Sequence, residues 1–131
     1  MKYLLDTHIW LWSLSEPERL VRRVQNALAS PNAELWLSAI SVWEILMMAD
    51  RKRVRFDPSV DQWLALARRA LPLRDAPFSA DIALATRDVQ LPHRDPADLF
   101  IVATARVLGL TLVTSDQHLI KSAQVPILPN R

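Results

Sequence analysis

No cysteine occurs among the 131 residues, and Gly109 is the sole glycine. The first absence excludes disulfides, cysteine-based zinc sites and thiol catalysis, though it says little about compartment. The second rules out a P-loop and a GxGxxG turn, so no glycine-rich loop cradles a nucleotide phosphate. Long hydrophobic runs are missing as well, and none approaches the length of a bilayer span. Met1-Lys2-Tyr3 leads straight into a strand and not into a signal peptide, which predicts a cytoplasmic protein. Nor is charge of one sign in large excess. Sixteen lysines and arginines stand against 14 aspartates and glutamates, for a net charge of +2. That alone argues only weakly for a polyanionic partner.

What is present suits one globular domain over residues 1–131. Half of the residues are apolar and 23% are charged, and a chain of this length can bury a core without disulfides or structural metal. Tyr3-Leu4-Leu5 reads as a first buried strand that ends at Asp6-Thr7, and Ile9-Trp10-Leu11-Trp12 as a short helix or turn. Ser15-Glu16-Pro17-Glu18 has the form of a helix start, with Leu20, Val21, Val24 and Leu28 as the apolar stripe that follows. Leu35-Trp36-Leu37 is the second strand, and Ser38 caps a helix carrying Val42, Ile45, Leu46 and Ala49. A basic cluster follows, then a helix marked by Val60, Trp63, Leu64 and Ala67, and an extended stretch from Leu71 to Phe78. Ser79-Ala80-Asp81 starts a helix whose candidate core residues are Ile82, Leu84 and Ala85. A short helix near His118 to Ala123 and a strand from Val125 to Leu128 close the chain. Strands alternating with helices predict an α/β fold, a mostly parallel sheet covered on both faces.

The stretch from Asp95 to Asp116 organises the rest. Asp95 is placed to cap a helix, and Pro96 suits its first position because it has no N–H to leave unpaired. Gly109 falls where the chain must turn left-handed, and Leu110 to Thr114 then reads as a buried strand. A helix from Pro96 to Leu108 is about 20 Å long, and the strand runs back about the same distance. This return brings Asp98, in the first turn of the helix, close to Asp116, just past the strand. Asp6 also follows a strand, and in such folds ligands bind at the carboxyl ends of strands. Glu44 stands about 9 Å along its helix from Ser38, and its longer side chain reaches toward the same edge.

Each acid has a local explanation too. Asp98 is spaced to close a capping box with Asp95, and Glu44 to do so with Ser41, while Asp6 and Asp116 are of the type that bonds local backbone in loops. A common destination is the stronger reading. Four converging carboxylates repel one another, so either some are protonated or a cation joins them. Oxygen donors alone favour Mg²⁺ or Mn²⁺ over zinc. If Asp6, Glu44, Asp98 and Asp116 form one pit, ten acids remain against 16 bases elsewhere, a surface suited to nucleic acid.

Four segments resemble the successive motifs of PIN domains: Asp6-Thr7-His8-Ile9-Trp10-Leu11-Trp12, Ser38-Ala39-Ile40-Ser41-Val42-Trp43-Glu44-Ile45, His93-Arg94-Asp95-Pro96-Ala97-Asp98 and Leu112-Val113-Thr114-Ser115-Asp116. The set is most similar to VapC-like toxins of toxin–antitoxin pairs and covers nearly the whole chain. The resemblance implies a three-layer α/β/α fold and a metal-dependent ribonuclease using one or two Mg²⁺ or Mn²⁺ ions. It assigns Asp6, Glu44, Asp98 and Asp116 to the metal and to catalysis, with Thr7, Thr114 and Asp95 in support. It also implies a homodimer, a VapB-like antitoxin and an RNA substrate cut to 5′-phosphate and 3′-hydroxyl ends. The alternatives are a PIN nuclease that processes RNA outside a toxin pair and a non-catalytic interaction module of the same fold. A phosphotransfer domain of doubly wound type would want a second aspartate two residues after Asp6, where His8 stands.

Other features are less telling. Arg51, Lys52, Arg53 and Arg55 suit RNA phosphates or a solvated helix end. His8, His93 and His118 have no ligand spacing and read as structural or surface residues. The five tryptophans are expected mostly in the core. If Trp10 or Trp12 is exposed beside Leu20 and Val24, the patch suits an amphipathic antitoxin segment.

Overall fold

A computed structural model of the chain describes residues 1–92 and 95–131. Among these residues five strands form one parallel sheet in the order β3-β2-β1-β4-β5. They are β1 (Lys2–Leu5), β2 (Glu34–Ser38), β3 (Leu73–Ala76), β4 (Thr111–Thr114) and β5 (Ile127–Pro129). From the central β1 the chain builds outward through β2 and β3, then returns to the other side of β1 for β4 and β5. The point where the order reverses lies between the carboxyl ends of β1 and β4, where open α/β sheets leave a crevice. Asp6 follows the first of these strands and Thr114 ends the second.

Alternation along the strands creates two cores. Leu5, Leu35, Leu37 and Val113 face one side, with helices α1 (Thr7–Ser15), α2 (Arg22–Ala29), α3 (Ala39–Asp50) and α4 (Val60–Ala70) around them. Leu4, Ala76 and Leu112 face the other, against α5 (Ala80–Ala85), α6 (Pro96–Leu108) and α7 (Gln117–Ser122). The result is the expected α/β/α sandwich. Caps read in the sequence set several helix ends. The Ser38 hydroxyl accepts the Ile40 N–H at 3.1 Å, and the Ser79 hydroxyl accepts the Ile82 N–H at 3.2 Å. Gly109 ends α6 in the left-handed conformation, with φ at 66°.

Three expectations change. The helix expected across residues 17–28 is split into a 3-10 turn at Pro17–Arg19 and α2, because Leu20 and Val21 are extended. Asn130, near the far end of the chain, fills that break. Its side-chain oxygen accepts the Val21 N–H at 2.8 Å, and its amide donates to the Arg19 carbonyl at 3.1 Å. Leu84, expected in the core, is exposed on the short α5, and Leu46 lies at the surface of α3. The last strand begins two residues later than expected, with Val125 buried in the loop before it. No helix among the described residues is long and apolar enough to cross a membrane.

Candidate active site

Three helix N-termini and the flank of a fourth helix meet at the carboxyl edge of the sheet, and each brings an acid. Asp6 is the N-cap of α1: one carboxylate oxygen accepts the Thr7 N–H at 2.8 Å. Its other oxygen accepts the Thr114 hydroxyl at 2.6 Å. The fully buried Thr114 also accepts the Asp116 N–H at 3.0 Å, so one hydroxyl ties the ends of β1 and β4 together. Asp116 caps α7, its Oδ1 accepting the His118 and Leu119 N–H groups at 2.8 and 3.2 Å. Asp95 caps α6 through the Ala97 N–H at 3.0 Å, and so sets Asp98 in the first turn of that helix.

Glu44 has no helix terminus to support it, since α3 starts five residues earlier. It depends on side chains instead. The Thr7 hydroxyl donates to Glu44 Oε1 at 2.5 Å, and the Ser41 hydroxyl oxygen lies 2.9 Å from that of Thr7. A hydroxyl has one proton. With the Thr7 proton committed to the carboxylate, Ser41 is the donor in the second bond. Thr7 and Ser41 are both buried, so this relay is shielded from water.

The hollow has a volume of about 340 Å³. Asp6, Glu44, Asp95, Asp98 and Asp116 line it with Thr7, His8, Trp12 and Ser115. Among the described residues no lysine or arginine contributes to its wall. The consequence falls on Asp6, Glu44 and Asp98. Burial raises Asp6 above the usual carboxylate range and the Asp116 charge adds to this, opposed by the Thr114 and Thr7 hydrogen bonds and by His8. Burial also raises Glu44, opposed by the Thr7 hydrogen bond and reinforced by Asp6 and Asp95. Asp98 is pushed up to about 7, first by burial and then by the charges of Asp6, Asp95, Asp116 and Glu44. A carboxyl in that range keeps its proton over part of the neutral region because the hollow holds too much negative charge.

This is the setting that a hard divalent cation relieves. The carboxylates offer oxygen donors, which suits Mg²⁺ or Mn²⁺. Among the described residues no three acidic or imidazole groups are gathered at ligation distance. Asp6, Glu44, Asp95 and Asp116 instead bond to cap N–H groups and hydroxyls. The donor set fits such an ion, and a loaded site draws on groups now held by the protein.

All seven residues singled out in the acid motifs line or support the hollow: Asp6, Glu44, Asp98 and Asp116, with Thr7, Thr114 and Asp95. Arg51 and Arg53 line a separate cavity beside it, whereas Lys52 and Arg55 border another one floored by Val54, Phe56 and Val60. The conditional surface patch is not formed. Trp10, Leu20 and Val24 are buried in the α1–α4 core, where shape and apolar area are consumed by the protein itself. Trp12 is half-buried beneath the Arg19 guanidinium, 4.0 Å above its ring. Ser41, read in the sequence as a capping partner of Glu44, acts instead through the Thr7 hydroxyl. Ser115 is a lining residue with no role expected from the sequence. His8 is a surface residue as expected, but one that faces the hollow. His93 lies outside the described residues.

Residues 3–124 match the PIN domain family model. Over 120 residues the chain is 36% identical to Ribonuclease VapC22 of Mycobacterium tuberculosis, a match that spans 88% of each protein. Its fold resembles that of a chain in the crystal structure of VapBC2 from Rickettsia felis bound to a DNA fragment from their promoter. There the TM-score is 0.71, with 17% identity over 98% of both chains. A chain of FitAcB from Neisseria gonorrhoeae gives a TM-score of 0.70, with 24% identity over 98% of this chain and 97% of that one. These two likenesses concern the fold.

Proposed function

The chain belongs to the PIN-domain family, and from that premise we propose that it is a Mg²⁺- or Mn²⁺-dependent endoribonuclease, the toxin half of a VapBC-type pair. The observation that carries the reading is the meeting of Asp6, Glu44, Asp98 and Asp116 in one hollow at the reversal point of the sheet. A single-purpose structural role for each acid does not account for an arrangement that lifts Asp98 to about 7.

Asp6, Glu44, Asp98 and Asp116 are the residues that would hold the ion. Thr114 fixes the Asp6 carboxylate, and the Ser41–Thr7 relay fixes Glu44. When bound, the cation lowers the pKa of an attacking water and offsets charge on the phosphoryl oxygens. No serine or threonine is needed as a nucleophile. The expected products carry 5′-phosphate and 3′-hydroxyl ends. A VapB-like antitoxin, a second copy of the chain and RNA are the partners this reading requires, and the cytoplasm is its compartment.

The test is incubation of the purified protein with cellular RNA in Mg²⁺ or EDTA, with new 5′ ends mapped. Cleavage should appear only with the cation and vanish in Asp6→Asn and Asp98→Asn, both retaining the parent circular dichroism spectrum. Full cleavage in EDTA, or in both variants, overturns the proposal.

A further inference from the structure

We propose that Trp43, Arg51 and Arg53 form a nucleotide subsite beside the acid hollow, Trp43 stacking on an unpaired base of single-stranded RNA while the arginines hold its phosphates. The proposal rests on the nuclease reading above and deepens it by naming how the substrate is gripped.

Trp43 immediately precedes Glu44 on α3, yet half of its surface is exposed, whereas Trp10 and Trp63 are buried. It lines a cavity of about 280 Å³ together with Met47, Arg51, Arg53 and Pro96. Glu44 and Asp95 belong to the walls of this cavity and of the acid hollow alike, so the two spaces adjoin. A chain laid into the hollow passes over Trp43.

The charges point to the same occupant. No lysine or arginine lines the acid hollow among its described residues, while the adjoining cavity carries two exposed arginines. Among the described residues neither Arg51 nor Arg53 makes an ion pair. Phosphates flanking a scissile bond are repelled by carboxylates and are held by guanidinium groups. Trp12, which lines the acid hollow, cannot take the same part, because Arg19 already covers its ring. An open indole face with cations beside it is the pairing that binds unstacked RNA bases without demanding a sequence.

The experiment measures anisotropy of a labelled oligoadenylate RNA bound to the full chain in EDTA, where cleavage is not expected. A matching abasic ribose-phosphate oligomer is the second probe. Trp43→Ala should weaken oligoadenylate binding about tenfold and leave abasic binding unchanged, while Trp43→Phe stays within about threefold of the parent. The Arg51→Ala/Arg53→Ala double variant should weaken both probes and reduce the salt slope by about 1.4. Unchanged oligoadenylate affinity in Trp43→Ala, in a parent that binds and cleaves RNA, overturns the subsite alone. So does an equal loss on both probes, or a loss that follows dissociation of a dimer in sedimentation, which would give this face to a second copy. A parent that neither binds nor cleaves RNA overturns the subsite and the nuclease reading together.

Discussion

Replacing Asp98 by asparagine should make the cation-free protein more stable at alkaline pH while removing its activity. The carboxyl is raised from an ordinary value of 3.8 to about 7 in the folded chain. A raised carboxylate pKa means that the folded state binds more protons than the unfolded state between those two values. Stability is therefore greatest below about pH 4 as far as this group is concerned, and falls as pH rises toward 7. The full shift corresponds to about 4 kcal/mol at 1.36 kcal/mol per unit, and solvent screening of a partly buried group reduces this to about 2–4 kcal/mol. Asp6 and Glu44 are raised as well and act with the same sign. Asparagine keeps the shape and removes the charge.

Urea denaturation in EDTA at about pH 5 and about pH 8 reads this directly. Only the part of the shift above about pH 5 is sampled, so with an m-value of about 1–3 kcal/mol/M the parent midpoint should drop by about 1 M between the two conditions. Asp98→Asn should lose much of that drop and exceed the parent at the higher pH. Adding Mg²⁺ at about 100 times its dissociation constant should return about 2.7 kcal/mol to the parent and less to the variant. A parent midpoint indifferent to pH, or a variant less stable than the parent at about pH 8, would show that the hollow carries no surplus of negative charge.

Thr7→Val removes the donor that fixes Glu44 and should lower cleavage about 10–100-fold at saturating Mg²⁺, with Thr7→Ser restoring most of the rate; equal rates in all three proteins would disconnect the relay from catalysis. Gly109→Ala tests the α6–β4 turn by itself. No neighbour lies within 4 Å of an added Cβ, so the cost is that of the left-handed backbone, about 1 kcal/mol or a fall of about 3–5 °C in Tm. A fall several times larger would mean that the turn moves Asp116.

The parts of the site legible in the sequence depend on local geometry. The out-and-back path of α6 and β4 is fixed by Asp95, Pro96 and Gly109, and it delivers Asp98 and Asp116 to one edge. Ser38 fixes where α3 begins, hence where Glu44 falls along it. The parts that were not legible depend on distant partners. The break between the 3-10 turn and α2 is held by Asn130, 109 residues away from Val21, and no periodicity of the local segment reports it. The tryptophans show the same limit. Trp10 and Trp43 both sit amid apolar residues, and only the crossing of α1 over the sheet decides that the first is enclosed and the second open. Leu84 misled for a related reason, because the six-residue α5 buries Ile82 and leaves the next turn uncovered.

Capping and metal holding first present themselves as rival explanations of these acids, but the two are compatible. Asp6, Asp95 and Asp116 each cap a helix, so the partial positive ends of α1, α6 and α7 face the hollow and offset some of its charge. That support permits carboxylates to gather before any cation arrives. It is incomplete, since burial and the neighbouring charges still hold Asp98 up to about 7. The remaining charge is met by a proton on Asp98 or by an ion in the hollow, and the two compete for the same carboxylate. Cation binding must therefore release protons near neutral pH, and affinity should climb with pH until Asp98 is ionised. A cation affinity that is flat from about pH 5 to about pH 8 is incompatible with that competition.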